Sequence, residues 1–261
     1  MKGEFYMTII EEKKLMNEIP IIVCKNEEKI KKPLVIMSHG FTGSKNDFER
    51  NGNLKHLAEL GYYAVALDNR LHGDRPGPDF RSTIIKSYGK IDLFLLRKAM
   101  KETADDIKLL IDELTSLEEV DGTRIAIIGV SMGGFVTYRT IVIDDRIKVG
   151  IPLISSPFWD DIPGDVPILL EEEGKTELRS LSEHYQPSNH LDKYHPTALL
   201  MQVGDIDKHY DMNRINEFYH ELKKYYIDSP DKLKLIIHPN TEHEFTNDMW
   251  QESLQWLKEH L

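Results

Sequence analysis

The chain has 261 residues, 40% hydrophobic and 30% charged, enough for one α/β domain with a full core. A formal charge of −11 argues against a nucleic-acid binder, which needs a basic face to displace phosphate counterions, and against an anionic membrane surface. Cys24 is the single cysteine, which excludes an intramolecular disulfide and a thiolate metal cluster; no run approaches a transmembrane helix, and Met1-Lys2-Gly3-Glu4 shows no signal peptide, so a cytoplasmic protein is expected.

In chain order, residues 9–30 hold two apolar clusters around a polar break, Leu15-Met16 and Ile19 to Val23, and predict antiparallel opening strands. Cys24 continues the second cluster and is expected as a plain buried thiol. Leu34 to Met37 is a short continuous apolar run between Pro33 and Ser38-His39-Gly40, the pattern of a buried central strand. Lys45 to Leu60 predicts a helix, with Phe48, Leu54, Leu57 and Ala58 at helical spacing, Gly52 weakening its first half and Gly61 closing it. Tyr62 to Leu67 is the next strand, ending in Asp68-Asn69-Arg70. Residues 71–90 form a long Gly-, Pro- and Asp-rich loop, and loops of that length usually serve function. A long amphipathic helix over Ile91 to Leu117 and a strand over Arg124 to Gly129 follow.

After a helix over Phe135 to Val142 and a strand over Val149 to Ile154, residues 157–195 break the rhythm. They hold four prolines, short helical fragments and the acidic run Glu171-Glu172-Glu173, expected as a solvated face. Thr197 to Val203 restores a buried strand, and Met212 to Tyr226, Leu233 to His238 and Phe245 to Leu261 read as helix, strand and helix. Alternating strands and helices predict a single α/β domain over residues 1–261, with a mostly parallel sheet flanked by helices on both faces. In such sheets ligands bind beyond the carboxyl ends of the strands.

Gly129-Val130-Ser131-Met132-Gly133 lies between a predicted strand and a predicted helix. A G-x-S-x-G turn in that setting is a nucleophile elbow: glycines permit a sharp turn, and the serine stands at its tip facing the N-terminus of the helix. Serine becomes a nucleophile when a base takes its proton, usually a histidine oriented by a carboxylate. On this kind of sheet the chain order is serine, acid, histidine. Gly204-Asp205-Ile206-Asp207 follows a strand and offers the acid, with Asp207 preferred over Asp205. Between the last strand and the last helix lies His243, preferred as base over His238, which falls at the strand end. Asp205, Asp207 and His209 also admit a metal-ligand reading, but alternate loop residues impose no ligand geometry. Oxyanion donors are expected at the backbone N–H of Met132, directly after the nucleophile, and of Phe41, where Gly40 permits close approach.

These segments resemble the α/β-hydrolase superfamily, in the branch of small serine esterases and prolyl-oligopeptidase-like or dienelactone-hydrolase-like domains. The resemblance rests on Ser38 to Gly43, Asp68 to Gly73, Gly129 to Gly134, Gly204 to Asp207 and His243, and covers residues 30 to 261 in the family's order. It implies an α/β-hydrolase fold in which residues 157–195 form a short cap, with Phe158 and Trp159 as an apolar wall near the acyl group and Tyr185 and Tyr194 as further candidates. Phe41 could also line the acyl pocket. Arg70 and His72 are expected to be structural or to line the rim. Serine at the elbow departs from the cysteine of dienelactone hydrolases and the aspartate of dehalogenases and epoxide hydrolases. Glu242 stands before His243 where a small residue is common. The expected activity is a cofactor-free and metal-free carboxylesterase acting on a small-molecule ester with a short or medium acyl group. The rivals are a peptidase or amidase of prolyl-oligopeptidase type and a non-catalytic hydrolase-fold binding protein; the oligomeric state is left open.

Overall fold

A computed structural model of the chain describes residues 8–164 and 166–261; residues 1–7, which include the segment read above for a leader, lie outside them. The antiparallel hairpin β1 (Ile9–Met16) and β2 (Ile19–Asn26) opens the chain, and β3 (Lys32–Ser38), α1 (Lys45–Arg50), α2 (Asn53–Glu59) and β4 (Tyr63–Leu67) follow. Next come the short α3 (Phe80–Thr83), the two-residue β5 (Ile91–Asp92), α4 (Leu93–Leu114), β6 (Val120–Val130), α5 (Met132–Ile143) and β7 (Ile147–Leu153). The last third contains β8 (Ile168–Leu169), α6 (Glu172–Tyr185), β9 (Ala198–Gly204), α7 (Met212–Leu222), β10 (Leu233–His238) and α8 (Asn247–His260).

Among the described residues, eight strands form one sheet in the order β1-β2-β4-β3-β6-β7-β9-β10, parallel from β4 onward. The central strands β3 and β6 carry continuous apolar runs, over 34–37 and 125–128, because both of their faces are covered there. Leu34, Ile36, Ile125 and Ile127 join the core beneath α4 and α5, while Val35, Met37, Ala126 and Ile128 join the opposite core with α1, α2 and α8. Each βα connection therefore leaves the sheet at the same edge, and the loops after β3, β4, β6, β9 and β10 meet there. Among the described residues no helix is long and apolar enough to cross a membrane.

Three elements differ from the sequence reading. The helix expected over 45–60 breaks in two at Gly52, whose φ of +75° is left-handed and caps α2. The long helix starts at Leu93 because the Asp92 side chain accepts the Leu95 N–H at 3.0 Å and caps it, while Ile91 and Asp92 pair in parallel with Ile168 and Leu169. Residues 157–195 hold a 14-residue helix, α6, beside the short helical turns Pro187–Asn189 and Leu191–Lys193. Its first turn carries Glu172 and Glu173, where acidic charge favours the positive end of a helix, and its Leu178 joins the core beneath α4.

Candidate active site

Ser131 is the single residue between β6 and α5, with φ 53° and ψ −113°. A positive φ costs a non-glycine residue conformational energy, so the neighbours must impose it. They do so through the flanking glycines. A Cβ on Gly129 would lie 2.0 Å from the Gly133 carbonyl oxygen, and one on Gly133 would lie 2.0 Å from the Ser38 carbonyl oxygen. Gly133 therefore lets α5 press against the end of β3, and the Ser131 N–H is tied to the Leu153 carbonyl at 2.9 Å.

The Ser131 hydroxyl donates to His243 Nε2 at 2.7 Å. His243 Nδ1 donates to Asp207 Oδ2 at 2.6 Å. A carboxylate at Nδ1 fixes the proton on that nitrogen and leaves the lone pair of Nε2 facing the hydroxyl. The Asp207 side chain is fully buried. Burial acts to raise its pKa, but hydrogen bonds from His209 and His243 outweigh it and hold the carboxyl well below the usual carboxylate range, so it is ionised at neutral pH. Asp205, two residues earlier, faces elsewhere: its Oδ1 accepts the Thr241 N–H at 3.1 Å and pins the loop that carries His243. His238 meets Gln202 Oε1 at 2.9 Å. Glu242 is exposed.

Asp207 Oδ1 accepts both the backbone N–H of His209, at 2.9 Å, and its Nδ1, at 3.1 Å. The His209 ring stacks on His243 with centroids 3.7 Å apart and planes 19° apart. Donor atoms of Asp207, His209 and His243 lie within 4.8 Å of one another, whereas Asp205 is engaged by Thr241. Because the two imidazoles are nearly parallel, their in-plane lone pairs do not converge on one point as a tetrahedral metal site needs.

The loop after β3 passes beside the elbow, with a Cβ on Gly40 reaching 3.6 Å from Ser131 Cβ. Its shape is set by buried histidines. His39 Nδ1 donates to the Gly40 carbonyl at 2.8 Å, and its Nε2 accepts the Asn69 N–H at 3.1 Å; burial pushes its pKa down to about 4, so it is neutral. His72, also lowered by burial, accepts the Thr42 N–H at 3.4 Å and stacks on Phe80 at 4.6 Å. The Phe41 ring meets both His72 and Phe80 edge-on. Asp68 holds the next turn, accepting the Lys45 N–H at 2.9 Å and the Lys45 ammonium at 2.6 Å. Arg70 and Arg75 converge on Asp106, each at 2.6 Å. The segment Asp68 to Gly73 is thus a framework for the loop carrying Phe41.

Ser131, Met132, His209, His243 and Phe41 border a cavity of about 400 Å³. Its far wall is apolar, built by Ile91, Leu96, Met100 and Phe135 with Pro163, Val166 and Ile168 of the insertion. Among the described residues, Phe158 and Trp159 do not line it, which corrects the expectation of an aromatic wall. Trp159 is 0% exposed, and its backbone N–H donates to Gln186 Oε1 at 2.8 Å. Phe158 packs under the Arg214 guanidinium at 3.9 Å and edge-on to Phe218. Tyr194 is buried against Tyr138 and Phe218, and Tyr185 sits beside Lys101 and Arg139. Trp159 and Tyr194, both fully buried, fasten the insertion to the core because large flat rings gain most by burial, while Phe158 is half-buried and Tyr185 exposed.

Arg97 is a cavity residue that the sequence reading missed. It is buried, lies over the Phe135 ring at 4.2 Å, and donates to the Trp159 and Asp161 carbonyls at 3.0 and 3.1 Å. Burial lowers its pKa to about 10, still charged at neutral pH. Its signal was present in the sequence: Leu93, Leu96, Arg97, Met100 and Ala104 share one helical stripe, so a charge stands among residues that face the core.

A model of the family described as "Dienelactone hydrolase family" matches residues 20–260. YitV of Bacillus subtilis (strain 168), a candidate esterase, is 27% identical over 262 residues covering 96% of this chain and 98% of that protein. Among solved structures, TT1662 from Thermus thermophilus superposes with a TM-score of 0.78 at 20% identity, covering 97% of this chain and 98% of that one. An acetyl xylan esterase from Paenibacillus sp. R4 gives a TM-score of 0.68 at 16% identity, covering 98% and 90%. With its sheet order, its elbow and a family match across nearly its whole length, the chain belongs to the dienelactone hydrolase family of the α/β-hydrolase superfamily.

Proposed function

We propose that this protein is a serine carboxylesterase that cleaves small-molecule esters of short or medium acyl chains through an acyl-enzyme on Ser131. The observation that carries the reading is the unbroken relay from Asp207 to His243 to Ser131, at 2.6 and 2.7 Å. His243 Nε2 takes the hydroxyl proton as Ser131 Oγ attacks the carbonyl carbon, and the resulting imidazolium is stabilised by the ionised Asp207. The Met132 N–H, among those that a helix leaves unpaired at its start, and the Phe41 N–H receive the oxyanion. His243 then hands its proton to the departing alkoxide oxygen, releasing the alcohol. Water repeats the sequence, giving its proton to Nε2 and freeing the acid. No step calls for a cofactor or metal.

The apolar wall supports an acyl chain rather than a charged one as the group held there, and the volume supports a chain of modest length. Residues 157–195 act as the cap of a single domain, supplying Pro163, Val166 and Ile168 to that wall. A Bacillus relative regarded as a candidate esterase supports an ester substrate. Hydrolysis of p-nitrophenyl acetate, butyrate, octanoate and laurate beside peptide p-nitroanilides tests this. The expected result is turnover of the shorter esters, little of laurate or the anilides, and a loss of several orders of magnitude in Ser131→Ala. Preferred cleavage of the anilides would overturn the ester reading.

A further inference from the structure

Asp207 serves two imidazoles, not one. Its Oδ2 faces His243, and its Oδ1 takes the ring of His209 together with the His209 backbone N–H. The two rings come from different loops, His209 between β9 and α7 and His243 between β10 and α8, yet they stack at 3.7 Å. We propose that His209 is a positioning residue, which locks the plane of the Asp207 carboxylate and braces one face of the His243 ring. The proposal rests on the reading of Ser131, His243 and Asp207 given above.

A carboxylate held through one oxygen can turn about its Cβ–Cγ bond, because that torsion is broad and weakly restricted. Donors on the other oxygen remove this freedom, so that Oδ2 stays in line with His243 Nδ1. The backbone N–H of residue 209 supplies one such donor whatever its side chain; the imidazole supplies a second from a different direction. His243 is likewise held at its two nitrogens, which leaves tilting about the line joining them. A ring lying flat on one face opposes that tilt. The same ring presents its π face to the imidazolium that forms when His243 carries the serine proton, an arrangement that favours positive charge. Relay geometry must hold to within about 0.5 Å for proton transfer, and second contacts of this kind maintain it.

Three substitutions separate the two contributions. His209→Phe keeps a ring and removes the donor, His209→Asn keeps a short donor and removes the ring, and His209→Ala removes both. The readouts are kcat and KM on p-nitrophenyl butyrate, thermal melting, and the far-downfield proton resonance of the His243 Nδ1–H. For His209→Ala we expect kcat to fall on the order of tenfold or more with KM changed by less than about twofold, the scale of one charge-assisted hydrogen bond acting on the chemical step. His209→Phe and His209→Asn should each recover part of the loss, and the His243 resonance should shift or broaden in His209→Ala. An active wild type beside a His209→Ala variant with kcat within about twofold would overturn this proposal alone. So would equal losses in all three variants that track melting temperature while the His243 resonance stays unchanged. A wild type that neither hydrolyses the ester nor reacts with a fluorophosphonate would overturn the underlying reading and this proposal with it.

Discussion

Asp205 and Asp207 are the same residue type on the same loop, and their surroundings give them different tasks. Asp205 holds Thr241 and so fixes where the His243 loop leaves β10, while Asp207 faces the imidazole itself. Asp207→Asn puts a neutral amide against Nδ1, weakening both the tautomer and the imidazolium it would stabilise. We expect kcat for ester hydrolysis to fall by about 10⁴ with the fold intact, the scale seen when the acid of such a triad is neutralised. Asp205→Asn should lower the melting temperature more than it lowers kcat. The opposite ranking, measured by steady-state kinetics and thermal melts on the two variants, would move the acid role to Asp205. Chain order and the glycine before the loop made this pair legible in the sequence. The stacking of His209 on His243 was not, since it depends on side-chain torsions in two loops far apart in the chain.

The elbow works as an element because two backbones approach closer than any side chain allows. A methyl group on Gly133 would meet the Ser38 carbonyl, a backbone atom of a central strand that cannot turn aside. Gly133→Ala must therefore push α5 away from β3, moving the Met132 N–H and Ser131 together. We expect a destabilisation of about 1–3 kcal/mol from overpacking and loss of ester hydrolysis, read by denaturant melts and initial rates. Wild-type stability and activity in that variant would contradict the packing described. Strands and elbow were readable because a strand covered on both faces leaves a continuous apolar run, and glycines mark close approach. The insertion was less so. Phe158 and Trp159 announce burial, but hydrophobicity does not say which core receives a ring: Trp159 joined the core beneath α4 and α5, and Phe158 packed against Arg214 of α7. Likewise Gly52 weakened a helical pattern without revealing that it would break it.

Across the whole molecule, strand order does what sequence spacing cannot. Ser131 and His243 are 112 residues apart, and a sheet whose parallel strands run β4-β3-β6-β7-β9-β10 sets their loops along one edge. That edge could be inferred from alternating strands and helices, because parallel strands must all end on the same side. Distances at the edge could not, since they follow from sheet twist, helix packing and the framework of Asp68, Lys45 and the buried histidines. Ester hydrolysis at this edge requires Ser131 to be activated by its neighbours. Incubation with a fluorophosphonate probe, followed by peptide mass spectrometry, tests this directly. We expect a covalent adduct on Ser131 that is absent in Ser131→Ala and forms far more slowly in His243→Gln. An unlabelled wild type, or labelling undiminished in Ser131→Ala, would contradict it.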